Sequence, residues 1–181
     1  MNIWRPEFEA ALELFASVSA TVVQRGFPAP VLVGGAAVEL YSGSVIATGD
    51  FDLVTARQDI VEQALQDHGF VKPRGPGRLT RGWIHPDLKL GFEVVGSMLL
   101  EGRAEQARVR LIDVSAGDRF AVISVEDLIA DRMGQYGSGA APEMLGQAQA
   151  LFRLYRGQDD SYLDRRIREE TSNDYGIEDI L

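Results

Sequence analysis

The run Val31-Leu32-Val33, closed by Gly34-Gly35, narrows the fold more than any other stretch of the chain. Three consecutive apolar residues are too few for a helix and too continuous for a half-exposed strand. They read as a buried strand. The two glycines behind it allow a sharp change of direction and a close approach of another group to the backbone. Asp50-Phe51-Asp52-Leu53 then interleaves acids with apolar residues. On a strand, side chains alternate between faces, so both acids point the same way with Cα atoms roughly 6.5 Å apart. Two carboxylates so placed can converge on one hard cation, and the Gly-Gly turn lets a phosphate-bearing ligand reach the backbone. The pattern points to metal-assisted chemistry on a nucleotide.

Other elements follow from periodicity. Pro6 suits a first helical turn, and Phe8, Ala11, Leu12, Phe15 and Val18 recur at helical spacing, which predicts a helix over about residues 6–25 that stops at Gly26. Ala36–Tyr41 reads as a short helix and Ser42-Gly43-Ser44 as a turn. A strand is expected over 50–55, a helix over 57–67 and a strand from Phe70. Arg74–Gly77 is a Pro/Gly turn. Further strands are expected over 79–85 and 88–96, with shorter candidates at Val109–Leu111 and Phe120–Val122. From Ser124 the period changes. Ser124-Val125-Glu126-Asp127 resembles a capping box with Asp in the acidic position. Met144, Leu145, Ala148, Leu151, Phe152 and Tyr155 mark an amphipathic helix. A last helix near 160–170 leads into an acidic, frayed tail. The expected architecture is α/β (α+β): a mixed β-sheet flanked by helices over residues 1–123, with a helical segment over 124–181 packed on it.

Composition excludes several classes. The 181 residues are 45% hydrophobic, enough for a core, and no run reaches the roughly 18 apolar residues of a membrane span. There are no cysteines, which rules out disulfides and thiolate metal sites. The opening residues carry acids early and lack the apolar centre of a signal peptide, so a cytoplasmic location is expected. A net charge of −9 argues against general nucleic-acid binding. The dense basic stretch around Arg74, Arg78 and Arg81 reads as a solvated hairpin, or as a grip on an anionic acceptor such as RNA or on a triphosphate. His68 and His85 read as surface or turn residues, and Trp83 and Tyr136 as packing residues.

Nucleotidyl transfer requires neutralised phosphate charge and an aligned nucleophile, and two divalent ions can supply both. Mg²⁺ takes oxygen ligands, so Asp50 and Asp52 are two candidate ligands. Glu93, in the apolar run Leu90-Gly91-Phe92-Glu93-Val94-Val95, is the candidate third. A carboxylate there is costly unless paired or metal-bound. A solvent-facing Glu93, or one paired with Lys89 or Arg81, is the alternative.

The order Val33-Gly34-Gly35, helix, Asp50-Phe51-Asp52-Leu53, then Phe92-Glu93-Val94 resembles the nucleotidyltransferase superfamily related to DNA polymerase β. It is most similar to AbiEii-like and related uncharacterised bacterial members, with which it shares the Gly34-Gly35-Ala36-Ala37 opening, Thr48 before the acid pair, and the helix Ser124–Arg132. The resemblance covers roughly residues 30–135. It implies that Gly34 and Gly35 line a triphosphate, with Thr48 and Arg132 among the nucleotide-binding residues. It further implies that Asp50, Asp52 and Glu93 form the catalytic, Mg²⁺- or Mn²⁺-binding set. Gly35 stands where the family often has Ser, Glu93 where it often has Asp, and Arg132 where it commonly has Lys.

The implied activity is transfer of a nucleoside monophosphate from an NTP to an acceptor: a small molecule, a protein or RNA. An antibiotic-modifying adenylyltransferase is one form, because an acidic protein steers a cationic acceptor. The alternative is a catalytically impaired binding module with a protein partner, such as one half of a toxin–antitoxin pair.

Overall fold

The computed structural model describes residues 3–47, 49–73, 82–88, 90–114, 117–155 and 159–181. Helix α1, Pro6–Gln24, begins with Pro at its first position and buries Phe8, Ala11, Leu12, Phe15, Val18 and Val22 along one stripe. Strand β1, Val31–Val33, runs directly into α2, Gly34–Ser42. Strand β2, Asp50–Val54, leads to α3, Gln58–Asp67. Strands β3, Trp83–Ile84, and β4, Gly91–Gly96, come next, followed by β5, Arg110–Asp113, and β6, Arg119–Val122. Three helices complete the chain: α4, Val125–Gly137, α5, Met144–Leu154, and α6, Asp160–Glu170.

The six strands form one mixed sheet in the order β3-β4-β2-β1-β6-β5. The pairs β2–β4 and β1–β6 are parallel, and β1–β2, β3–β4 and β5–β6 are antiparallel. One face is covered by α1, with α3 packed beside it. Phe8 and Phe15 of α1 meet Phe51 of β2, and Phe15 also meets Phe92 of β4 and Phe120 of β6, at centroid distances of 5.4–6.2 Å. Phe51 and Phe92 stack at 4.4 Å with 12° between the rings. The opposite face carries α2, on which α4 and α5 pack. Tyr41 of α2 donates to the Ile123 carbonyl at 2.7 Å, and Tyr155 beyond α5 donates to the Tyr41 carbonyl at 3.0 Å. The apolar stripe of α5 is therefore spent on the interior, with Ala148 and Leu151 fully buried.

A buried ionic junction sets the position of α4. Ser124 caps the helix by accepting from the Asp127 N–H at 3.0 Å. Its hydroxyl also donates to the Asp127 carboxylate at 2.7 Å, so the expected capping box closes through the hydroxyl. Asp127 in turn accepts from Arg166 Nε at 2.8 Å and from the Tyr162 hydroxyl at 3.0 Å. Arg166 of α6 is fully buried and donates to Glu170 at 2.6 Å and to Glu169. The tail is not frayed. Ile180 is buried, the Ile177 N–H donates to Asp164 at 3.0 Å, and Arg168 pairs with Glu178 at 2.9 Å. Glu178 pairs with α6 and Asp179 accepts from the Gly176 N–H, a complementarity that residue-by-residue charge counting does not show.

Asp127→Ala removes the acceptor of the Ser124 and Tyr162 hydroxyls and one of the carboxylates on the buried Arg166, and is expected to cost about 1–3 kcal/mol in urea unfolding. Glu169 and Glu170 still compensate the guanidinium, so Arg166→Leu, which leaves Asp127 buried without its cation, is expected to cost more.

Candidate active site

β1 passes into α2 with no intervening loop, because Gly34 adopts φ +64°. Val33, opposite Asp52 in the β1–β2 ladder, is apolar and gives α2 no side-chain cap of its own. Gly35 lies in that same first turn. A Cβ at Gly34 would stand 2.2 Å from Asp52 Oδ2. Glycine is thus required twice here, by its dihedral and by the carboxylate against it.

The parallel β2–β4 register pairs Asp50 with Gly91, Phe51 with Phe92, and Asp52 with Glu93. Strand alternation sends the phenylalanines into the core and Asp50, Asp52 and Glu93 to the α2 side. Asp50 is exposed and accepts from the Gly91 N–H at 3.2 Å. A side chain at Gly91 would collide with that carboxylate, at 2.6 Å from Oδ1. Asp52 and Glu93 are half-buried neighbours. Burial pushes the Asp52 carboxyl up to about 6, and the charges of Asp50 and Glu93 add to the shift while Arg132 opposes it. Among the described residues, no three His, Cys, Asp or Glu side chains already stand in a metal-holding arrangement. The donor set nevertheless suits a hard divalent ion: carboxylate oxygens only, with like charges forced together that a cation would relieve.

Beside these acids lies a cavity of about 470 Å³. Gly34, Asp52 and Val54 form its floor, and α4 contributes Leu128, Asp131, Arg132 and Gln135. Arg132 is only 5% exposed. The far wall follows from a bulge. Leu53 pairs with Val94 but Val54 with Gly96, so Val95 is an extra residue that turns β4 toward Ser97–Glu101. In that wall Leu100 (φ 44°, ψ 49°) and Glu101 (φ 56°, ψ 29°) are consecutive left-handed residues. Each non-glycine there costs about 1–2 kcal/mol, strain of the kind that gathers at ligand sites.

The structure therefore brings Gly34, Gly35, Asp50, Asp52, Glu93 and Arg132 to one region. Thr48, Lys89 and the basic stretch at Arg74, Arg78 and Arg81 lie outside the described residues. His68 hydrogen-bonds the Ala64 carbonyl at the end of α3, and His85 packs edge-on against Phe70. Sequence alone assigns no role to Asp131, Gln135 or the Leu100-Glu101 wall. The signal for the first two is their spacing from Leu128, which places them on one helical stripe with Arg132. Backbone strain leaves no comparable trace in composition.

No family model and no curated protein matches the chain. Solved structures do. The antibiotic-resistance factor ANT(2'')-Ia matches with a TM-score of 0.56 at 18% identity, over 90% of this chain and 92% of that one. An antigenic nucleotidyltransferase-like protein from Paracoccidioides brasiliensis matches with a TM-score of 0.61 at 14% identity, over 93% of this chain and 88% of that one. The chain has the nucleotidyltransferase fold, a mixed α/β sheet with helices on both faces.

Two measurements test the site. The folded-state carboxyl of Asp52, at about 6, lies above its ordinary 3.8, so its ionisation opposes folding. That penalty is full above pH 6 and fades as pH falls through 6 toward 3.8. Asp52→Asn is therefore expected to raise the Tm at pH 8 in EDTA, with the gain shrinking toward pH 4; an equal gain at both pH values would contradict the assignment. Gly34→Ala is expected to cost about 1–2 kcal/mol through the left-handed backbone and to displace the Asp52 carboxylate. A crystal structure of the folded variant should show that displacement.

Proposed function

We propose that the protein is a Mg²⁺- or Mn²⁺-dependent nucleotidyltransferase that moves a nucleoside monophosphate from an NTP to an acceptor hydroxyl. The observation that carries this reading is the β2–β4 register. It sets Glu93 directly beside Asp52 at the uncapped start of α2.

The first-turn N–H groups at Gly34 and Gly35 take the triphosphate, as the positive end of a helix dipole favours. Arg132 holds a phosphate from the α4 side. Asp50 and Asp52 would hold the metal, which neutralises phosphate charge and aligns the reacting oxygens when bound. Glu93 either completes the ligand set or accepts the acceptor's hydroxyl proton. The acceptor oxygen bonds to the α-phosphorus, the bond to the β-phosphate bridging oxygen breaks, and pyrophosphate leaves.

The similarity to an antibiotic-resistance factor supports a small-molecule acceptor. A net charge of −9 suits a cationic one. The binding-module alternative draws less support from α5, whose apolar stripe is packed on α2 and α4 rather than presented to a partner.

Isothermal titration with Mg²⁺ and each NTP, followed by a pyrophosphate-release assay against cationic aminoglycosides, tests the reading. Asp50→Asn and Asp52→Asn should each lower turnover by at least about a hundredfold. Failure to bind any NTP in the presence of Mg²⁺ or Mn²⁺, or binding and turnover unchanged in both variants, would count against it.

A further inference from the structure

Arg132 is buried beside the acids, yet its partner is its own sequence neighbour. Nε donates to Asp131 Oδ2 at 3.1 Å and Nη2 donates to the same oxygen at 2.5 Å. Adjacent residues on a helix point about 100° apart, so such pairs do not form by default. This one forms because Asp131 and Arg132 stand three and four residues after Leu128, and both fall within the stripe that lines the cavity. Gln135, four residues after Asp131, donates to the same Asp131 oxygen at 3.1 Å.

The pair leaves one side of the guanidinium available. Nη1 faces the Met144 sulfur at 3.4 Å, a weak acceptor. A guanidinium carries five donors in a rigid fork, and one carboxylate oxygen occupies only its Nε–Nη2 edge. Asp131 also opposes a competing arrangement. Asp52 lines the same cavity, and a guanidinium freed from Asp131 could pair with it and take a metal-binding oxygen out of use.

We propose that Asp131 is a positioning residue that holds Arg132 in place for the nucleotide's phosphates, with Gln135 fixing Asp131 in turn. This rests on the reading of the site as one that binds an NTP. Asp131 lines the same cavity, and its role toward the phosphates runs through Arg132. The ligand chemistry concerned is a polyphosphate, so adenosine binding does not depend on it.

A double-mutant cycle on Mg·ATP and tripolyphosphate binding tests the proposal. Asp131→Asn and Arg132→Met are each expected to weaken binding about tenfold, the range for a charge-assisted contact. The double variant should bind no worse than Arg132→Met. KM for ATP should rise in Asp131→Asn with kcat at saturation nearly unchanged, and adenosine binding should not move. If Asp131→Asn folds poorly, Gln135→Leu removes one hydrogen bond without changing charge and should weaken binding about threefold. Wild-type-like binding in Asp131→Asn, or in Gln135→Leu where it stands in for a poorly folded Asp131→Asn, overturns the proposal. So does an equal loss from Asp131→Asn in both backgrounds, or a fall in kcat at constant KM. Those outcomes leave the transferase reading intact, whereas a wild-type protein that binds neither Mg·ATP nor tripolyphosphate overturns both.

Discussion

The stack of Phe51 on Phe92 is the contact on which the site depends. Two parallel strands can slide past one another, and a slip of one residue would turn a whole strand's side chains to the wrong face. The stacked rings, held from above by Phe8 and Phe15 of α1, fix the level of β2 against β4. Each strand carries its acid next to that phenylalanine. With the rings side by side in the core, Asp52 and Glu93 stand side by side on the opposite face. An apolar contact thus assembles a cluster of like charges, and the Asp52 carboxyl is raised first by its burial and further by the charges of Asp50 and Glu93.

The other half of the site hangs from the buried Arg166. Its pairing with Asp127 locks α4 to α6, while Glu170 holds the guanidinium from its own helix, and α4 carries Asp131, Arg132 and Gln135 over the cavity. The same network reaches the strained wall. Arg103, just after the Leu100-Glu101 turn, pairs with Glu170 at 2.9 Å, and the Glu105 N–H donates to the Tyr162 hydroxyl at 3.3 Å. The C-terminal helices therefore support both sides of the cavity. Loosening them would be felt at the cavity as well as in stability.

Much of this was legible in the chain. Val31–Val33 with its two glycines, the alternation at Asp50–Leu53 and the stripe of α1 are local patterns, and local patterns carry their own geometry. The acid-bearing register was legible only as an expectation, since nothing in Leu90–Val95 specifies which strand it joins. The tail misled because its acids suggest repulsion, while Arg168 and the Asp164 carboxylate that receive it lie on another element. Asp127 reads as a cap in sequence; that it also anchors a buried arginine from 39 residues away could not be read there.

The sequence by itself determined the long helices, the strands β1 and β2, the α/β class and which residues could bear the chemistry, because periodicity and turn residues act over a few positions. Among the described residues, the strand expected from Phe70 is only a single bridge between Val71 and Ile84. Only the tertiary structure decided that Glu93 pairs beside Asp52, that Gly34 is pressed against that carboxylate, and that Arg132 is held by Asp131. Those facts belong to strand register, close approach and burial. Each is fixed by contacts between segments distant in the chain, where local propensity has no influence.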